Sequence, residues 1–421
     1  MASRASLPVL HLSLVLGGAL RDAQGLRLGK VEDLIVRLGA DDYPPVTGLM
    51  AEVAGRAVFV PADVISEIAA GGATLSESTL SLQPFARRSQ EVLLKEDVLD
   101  HQLINVDGAR LVRTNEIEIA RFDGWYRVIG VDTGPRGLFR RVLPKRFAGT
   151  IEPGKILDWA SVEPFTGHVP TVRLRIPHPK LGRLHPAQLA DLVEAASHRE
   201  GGEILDALRA DAEREADVFE ELDARHQVEF IDERSDEEAA QILARMESDD
   251  AADLVGELPE ERREDILALL PPTQSRRVRA LLGYEPATAG GLMSPDFVCV
   301  FAQATHAEVL DRIGRSTFSA DALAWVFVMN QSKRLKGAIH LVDLLRADPA
   351  LPLGEIAQPA QRLRADADLE ETARLMTDYD LTVVPVVDDD ERMIGVITVD
   401  DVLEVVLPKG WRRNFGMLTD E

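Results

Sequence analysis

Three groups of carboxylates are crowded enough to do chemistry. Asp249, Asp250 and Asp253 fall within one turn of a helix-like run, and the first two lie three or four residues from the third, on its face. Asp388, Asp389, Asp390 and Glu391 crowd a turn, and Asp400, Asp401 and Glu404 crowd the start of a second helix-like run. Such oxygen-only sets suit a hard divalent cation. Mg²⁺ keeps several waters and is often held by one or two carboxylates. Two unit charges about 5 Å apart repel by roughly 0.8 kcal/mol in water and several times that in a closed interface. A divalent ion reverses that sign, so several weak sites can drive one domain closure. Taken by themselves, acidic runs also fit a solvated face.

Catalytic arrangements are missing. The chain carries no phosphate loop, no HExxH and no credible triad, and Asp100 beside His101 specifies no nucleophile. Cys299, the one cysteine, sits in the apolar run from Phe297 to Phe301. It reads as a buried small hydrophobe and excludes both a disulfide framework and a multi-cysteine zinc site. The expectation is a protein that is not an enzyme.

The 421 residues, 45% apolar and 28% charged, predict two to four domains of ordinary globular balance. The net charge of −24 is concentrated. Residues 1–150 hold 18 acidic and 18 basic side chains, residues 231–270 hold 14 and 4, and residues 365–404 hold 13 and 2. An acidic chain argues against a general grip on nucleic acid or anionic lipid. No segment is long and apolar enough to span a membrane. The stretch from Ala5 to Leu20 contains Pro8 and His11 and falls short of the roughly 20 residues required. A cytoplasmic location is expected.

The first 166 residues read as a duplication. Leu20–Val36 aligns with Leu103–Ile119, each with a glycine turn (Gly25, Gly108) between strand-like runs. Leu82-Gln-Pro-Phe85 parallels Val162-Glu-Pro-Phe165. The pattern of Gly29–Ile35 and its partner Arg113–Ile119 resembles the PRC-barrel family. That resemblance implies two small β modules, 1–90 and 91–166, that dock proteins. The basic cluster of Arg136, Arg140, Arg141, Lys145 and Arg146 reads as a solvated face or a dock for an acidic partner. Residues 167–183, rich in proline and glycine, read as a linker.

From Asp211 apolar pairs recur every 12 residues: Val218-Phe219, Phe230-Ile231, Ile242-Leu243, Leu254-Val255 and Ile266-Leu267. A third position adds Leu222, Met246, Leu258 and Leu270, with Arg234 the exception. Each unit supplies about two helical turns that cannot bury their own apolar face, so the units must stack. Ser235 with Glu238, and Pro259 with Glu260 and Glu261, signal helix starts. His185–Leu192, Ser248–Leu254 and especially Tyr284–Met293 resemble the intracellular N domain of MgtE-type magnesium transporters. A right-handed helical solenoid over 184–283 follows from that likeness.

Two further segments, 284–348 and 349–410, resemble CBS motifs. Trp325–Met329 and Val383–Val387 supply strands, followed by polar turns and the strands Leu335–His340 and Ile394–Thr398. CBS motifs that bind adenosine nucleotides use Gly-x-x-Ser/Thr-x-x-Asp, which Gly395, Thr398 and Asp401 match. In the first motif Gly337, His340 and Asp343 align, with histidine in the hydroxyl position. The transporter resemblance implies that the N domain and the second CBS motif face each other across bound magnesium.

Together these readings predict a multi-domain α+β chain: a duplicated small β-barrel, a right-handed α-helical solenoid and an α/β tandem CBS module. The implied role is a magnesium-sensing regulator without a pore, with Mg²⁺ as ligand and ATP or AMP as a further one. The alternatives are an adenine-nucleotide energy sensor and a non-catalytic scaffold. Expected partners are a second copy through the CBS pair and a protein partner such as a membrane transporter, through the barrels or through the tail, 411–421, with Trp411, Arg412, Arg413 and Phe415.

Overall fold

A computed structural model describes residues 8–39, 41–78, 86–88, 90–134, 156–165, 180–316, 318 and 320–407. They fall into two compact units, Met1–Asp211 and Ala212–Glu421. Leu82–Phe85, the basic cluster at 136–146, most of the linker and the tail lie outside the described residues. Among the described residues no helix is long and apolar enough to cross a membrane.

In the first unit the duplication extends further than the sequence alignment showed. Val9–His11, a helical turn at Leu12–Val15 and Ala19–Arg21 correspond to Glu91–Leu93, a turn at Leu94–Val98 and Gln102–Asn105. Arg56–Pro61, a short helical turn at Ala62–Val64 and Ile65–Ala69 correspond to Ile156–Asp158, Trp159–Ser161 and Val162–Pro164. The halves are interleaved. Val9–His11 pairs with Glu116–Phe122 of the second half, while Glu91–Leu93 pairs with Arg27–Arg37 of the first.

Each exchange is pinned by a buried carboxylate. Asp33, 2% exposed, accepts the backbone N–H groups of Leu34, Lys95 and Glu96. Its counterpart Glu116, 0% exposed, accepts those of Ser13 and Ile117 and bonds the Ser13 hydroxyl. These bonds satisfy amides at the start of the other half's helical turn.

The two expected barrels are not found as closed sheets among the described strands. The described strands form open sheets of seven, four and three strands, and none closes on itself. One apolar core, from Leu12 through Leu34, Leu49 and Ile119 to Val162, runs through both halves. A half that lends its first strand to the other cannot bury its apolar face alone. The turns also differ: Gly25 takes φ +83°, whereas in the second copy Ala109 rather than Gly108 is left-handed, at φ +42°.

In the second unit six helices begin at Ala212, Ala224, Asp236, Ser248, Glu260 and Pro272, at the 12-residue period read from the sequence. Alternate helices touch: Ala212–Glu221 with Asp236–Leu243, Ala224–Asp232 with Ser248–Glu257, and Ser248–Glu257 with Pro272–Leu281. The five apolar pairs are all buried. Ser235 and Glu238 form the expected capping box, while Pro259 stands at the cap rather than inside the helix. Arg234, the exception in the pattern, is paired with Glu215 at 3.3 Å, and both side chains are under 10% exposed. Arg262 reaches Asp232, Asp236 and the carbonyls of Ile231 and Arg234, tying non-adjacent units together.

The last 120 or so residues hold two three-stranded sheets of matching topology, Val298–Phe301, Trp325–Met329 and Leu335–His340, then Leu363–Arg364, Val383–Val387 and Met393–Thr398. In each the first pair is parallel and the second antiparallel. Their leading segments cross over: Ser294 bridges Val396, and Gln358 bridges Ala338. Cys299 is buried, and burial pushes its thiol up to about 11. The glycine pair within Tyr284–Met293 has a steric cause. A Cβ on Gly290 would stand 2.5 Å from the Tyr284 ring, and one on Gly291 would stand 2.3 Å from the Glu285 carbonyl oxygen.

Candidate cation and nucleotide sites

The helix Ser248–Glu257 carries Asp249 and Asp250 in its first turn, and the helix Val399–Val406 carries Asp400 and Asp401 in its own. Both placements follow from local chemistry, since acidic residues suit the positive end of a helix. The tertiary structure sets these first turns against each other. Burial raises the Asp249 carboxyl well above its usual range, and the charges of Asp401 and Glu247 raise it further. Asp250 is raised in the same way by burial and by Asp249, Glu220, Glu404 and Glu247. Burial holds Asp401 at about 6, opposed by its bonds to Thr398 and reinforced by Glu247 and Glu404. Glu220 is raised to about 7, chiefly by burial, although it accepts the Glu247 N–H at 2.6 Å.

Six carboxylates of the solenoid and the second CBS motif thus act on one another electrostatically, although no three of them among the described residues bring their oxygens within 4.8 Å of one another. Asp249 Oδ1 is buried with no hydrogen-bond partner. A buried oxygen left unsatisfied costs about 1–3 kcal/mol, and more if charged. That oxygen, among like charges and oxygen-only donors, fits a hard cation.

The other predicted ligands are placed elsewhere. Asp253 is on the same helix, but the charge acting on it is Glu257, and burial is the larger cause of its raised pKa. Asp400 is exposed. Asp388 closes its own turn by accepting the N–H groups of Asp390 and Arg392. Arg364 holds Asp389, Arg392 holds Asp390 at 3.0 Å, and Arg362 holds Glu391 at 2.6 Å. Local spacing did not point to Glu220 or Glu247. Glu247 had a readable signal, since it stands at the cap position just before Ser248.

The nucleotide candidates are positioned at strand-to-helix turns, as their spacing required. Thr398 caps its helix, accepting the Asp401 N–H, while Asp401 Oδ2 accepts the Thr398 N–H at 2.7 Å. Each side chain is thereby occupied by the other's backbone. The Met293 side chain lies over Gly395, with Cγ and Sδ 2.6 Å from where a Cβ would stand. In the first motif His340 caps the helix Leu341–Arg346 through Nδ1 and lies edge-on to Trp325 at 5.0 Å. Gly337 sits where the Gln358 carbonyl comes within 2.3 Å of a Cβ position, and Asp343 is exposed in the helix's first turn.

Comparison with known proteins bears on the helical and CBS segments that carry these residues. Residues 184–287 match the MgtE intracellular N domain, and residues 289–350 and 354–408 match the CBS domain. Over 130 residues the chain is 46% identical to the magnesium transporter MgtE of Thermus thermophilus, and 32% identical to that of Enterococcus faecalis. Each alignment covers 31% of this chain and 29% of the transporter, so the chain spans under a third of these relatives. The crystal structure of the cytosolic domain of the Mg²⁺ channel MgtE in complex with ATP is 36% identical, with a TM-score of 0.50. The match covers 53% of this chain and 92% of that one. The soluble part of a magnesium transporter is 27% identical, again with a TM-score of 0.50, over 54% and 90% of the two chains. The chain belongs to the MgtE family, carrying the intracellular N domain and CBS pair of its cytosolic region.

Proposed function

We propose that the chain is a magnesium-responsive regulatory module without catalytic activity. One observation carries this reading: carboxylates of the solenoid, Asp249 and Asp250, face carboxylates of the second CBS motif, Asp401 and Glu404. Without a cation these groups oppose the apposition of the two domains. Mg²⁺ held by Asp249, Asp250, Asp401 and Glu404, with Glu220 and Glu247 beside them, supplies compensating positive charge and favours the closed arrangement. Asp253, Asp388, Asp390, Glu391 and Asp400 have other surroundings and belong to an outer acidic field.

The chemistry is a population shift, so the ligand acts only through its differential affinity for the closed state. The closed state passes to a transport protein. The β unit is the docking module in this reading, derived from a duplicated PRC-type barrel whose halves have exchanged strands. A second copy docks on the CBS pair: Leu345 and Leu403 stand five residues past their caps and are 60% and 43% exposed, giving the two motifs equivalent apolar positions.

Protease protection of residues 184–407 in MgCl₂, against KCl of matched ionic strength, tests the magnesium reading. Equal protection by both salts removes it.

The second reading, an adenine nucleotide on the CBS pair, is favoured by the ATP complex of the 36% identical relative. At Thr398 and Asp401 binding requires opening the mutual cap and moving Met293. Calorimetry with ATP and AMP tests it, and heats unchanged by Asp401→Ala exclude that site.

A further inference from the structure

We infer that Arg277 is a positioning residue. Its ion pair with Asp296 latches the last solenoid helix onto the segment leading into the first CBS motif, and so sets how closely Asp249 approaches Asp401. The inference rests on the magnesium reading above and concerns its regulation.

The latch is built from opposite charges where the neighbouring site is built from like ones. Arg277, on the helix Pro272–Leu281, places Nη1 2.6 Å from Asp296 Oδ1, with the side chains 31% and 14% exposed. Its guanidinium also lies 5.5 Å from the centre of the Phe318 ring. A planar guanidinium serves both contacts at once, which an ammonium does less well.

Asp296 reaches further than this pair. The Ser248 hydroxyl, which donates to Gln274 Oε1 at 3.3 Å, lies beside its carboxyl, and Ser248 is the fully buried first residue of the helix that carries Asp249 and Asp250. Two residues before Asp296, the Ser294 hydroxyl accepts the Asp296 N–H at 3.4 Å and lies beside the Asp249 carboxyl. The Ser294 main chain exchanges both its hydrogen bonds with Val396, at 2.8 and 2.9 Å, two residues ahead of the Thr398 cap. Three residues, Ser294 to Asp296, therefore join the acidic turn of the solenoid to the strand that delivers Asp401. None of these bonds needs a cation.

The consequence is an effective-concentration argument. A contact that holds one flank of an interface keeps the repelling flank within reach, so the cation has only the repulsion to overcome. Losing the latch leaves Asp296 without its charged partner and adds the cost of bringing the faces together. The expected shift in the Mg²⁺ requirement is about tenfold, or about 1.4 kcal/mol.

The test is a MgCl₂ titration of protease protection on the full chain at constant ionic strength, with far-UV circular dichroism as the check on folding. Arg277→Gln is expected to raise the Mg²⁺ midpoint about tenfold, and Arg277→Lys by less. The exchanged pair Arg277→Asp with Asp296→Arg is expected to return it to within about threefold of the parent. A folded Arg277→Gln protein with an unshifted midpoint overturns the latch alone. So does a Lys variant that shifts as far as Gln, or an exchanged pair that recovers nothing. If Gln does not fold, the Lys variant and the exchanged pair decide in the same way. If the unaltered chain shows no Mg²⁺-specific protection, the parent reading fails and the latch falls with it.

Discussion

Replacing Asp401 by asparagine is the sharpest perturbation of the acidic cluster. Asparagine keeps an oxygen that can accept the Thr398 N–H, so the helix cap survives while the charge is removed. The structure sets the size of the effect. The Asp401 carboxyl rises from 3.8 to about 6, and each unit is worth about 1.4 kcal/mol, so the ionised form is disfavoured there by about 3 kcal/mol. Burial is the largest part of that cost, with Glu247 and Glu404 adding to it, and Asp249 is in turn raised by the Asp401 charge. Neutralisation should therefore favour the closed arrangement by about 1–3 kcal/mol, or roughly ten- to a hundredfold in its population. The assay is limited proteolysis of the full chain at pH 7.5, with circular dichroism to confirm folding. Asp401→Asn should be protected without Mg²⁺, and added Mg²⁺ should contribute less than in the parent. A folded variant that is no better protected at zero Mg²⁺ refutes the argument that like-charge repulsion holds the domains apart.

Three further outcomes follow from the same structure. The raised carboxyls of Asp401 and Glu220, at about 6 and about 7, bind protons more readily when the site is closed. Their contribution is present below the ordinary carboxylate range and is lost as pH rises through 6 to 7, so metal-free protection should increase from pH 7.5 to pH 5.5; a flat profile contradicts this. Asp33→Ala strands the Lys95 and Glu96 amides and should cost about 2–3 kcal/mol by urea unfolding, while Asp33→Asn should cost less. Gly290→Ala forces a methyl against the Tyr284 ring and the Ala365 carbonyl and should cost about 1–3 kcal/mol, read as a lowered Tm.

Repetition made much of the fold legible. A 12-residue apolar period fixes where helices begin, because a short amphipathic helix has one face to bury and its neighbours must repeat the pattern. The strands Trp325–Met329 and Val383–Val387 and the cap at Ser235 are likewise short-range chemistry. The strand exchange in the first unit was hidden from that reading. Both copies carry the same local pattern, and nothing local says which copy a strand pairs with.

The same division runs through the candidate site. The sequence by itself determined that acidic residues crowd helix-like runs at Asp249–Asp250 and Asp400–Asp401, and that a strand ends at Thr398 ahead of the second of them. Only the tertiary structure decided which carboxylates meet. It brought Asp249 to Asp401 and Asp250 to Glu404, added Glu220 and Glu247, and left Asp388 to Glu391 with turn amides and arginines. The physical reason is that spacing along a chain fixes only the face of a helix a charge occupies. Its pKa and its capacity to share a cation depend on the dielectric and on charges brought in by elements some 150 residues away, which exist only once the chain has folded.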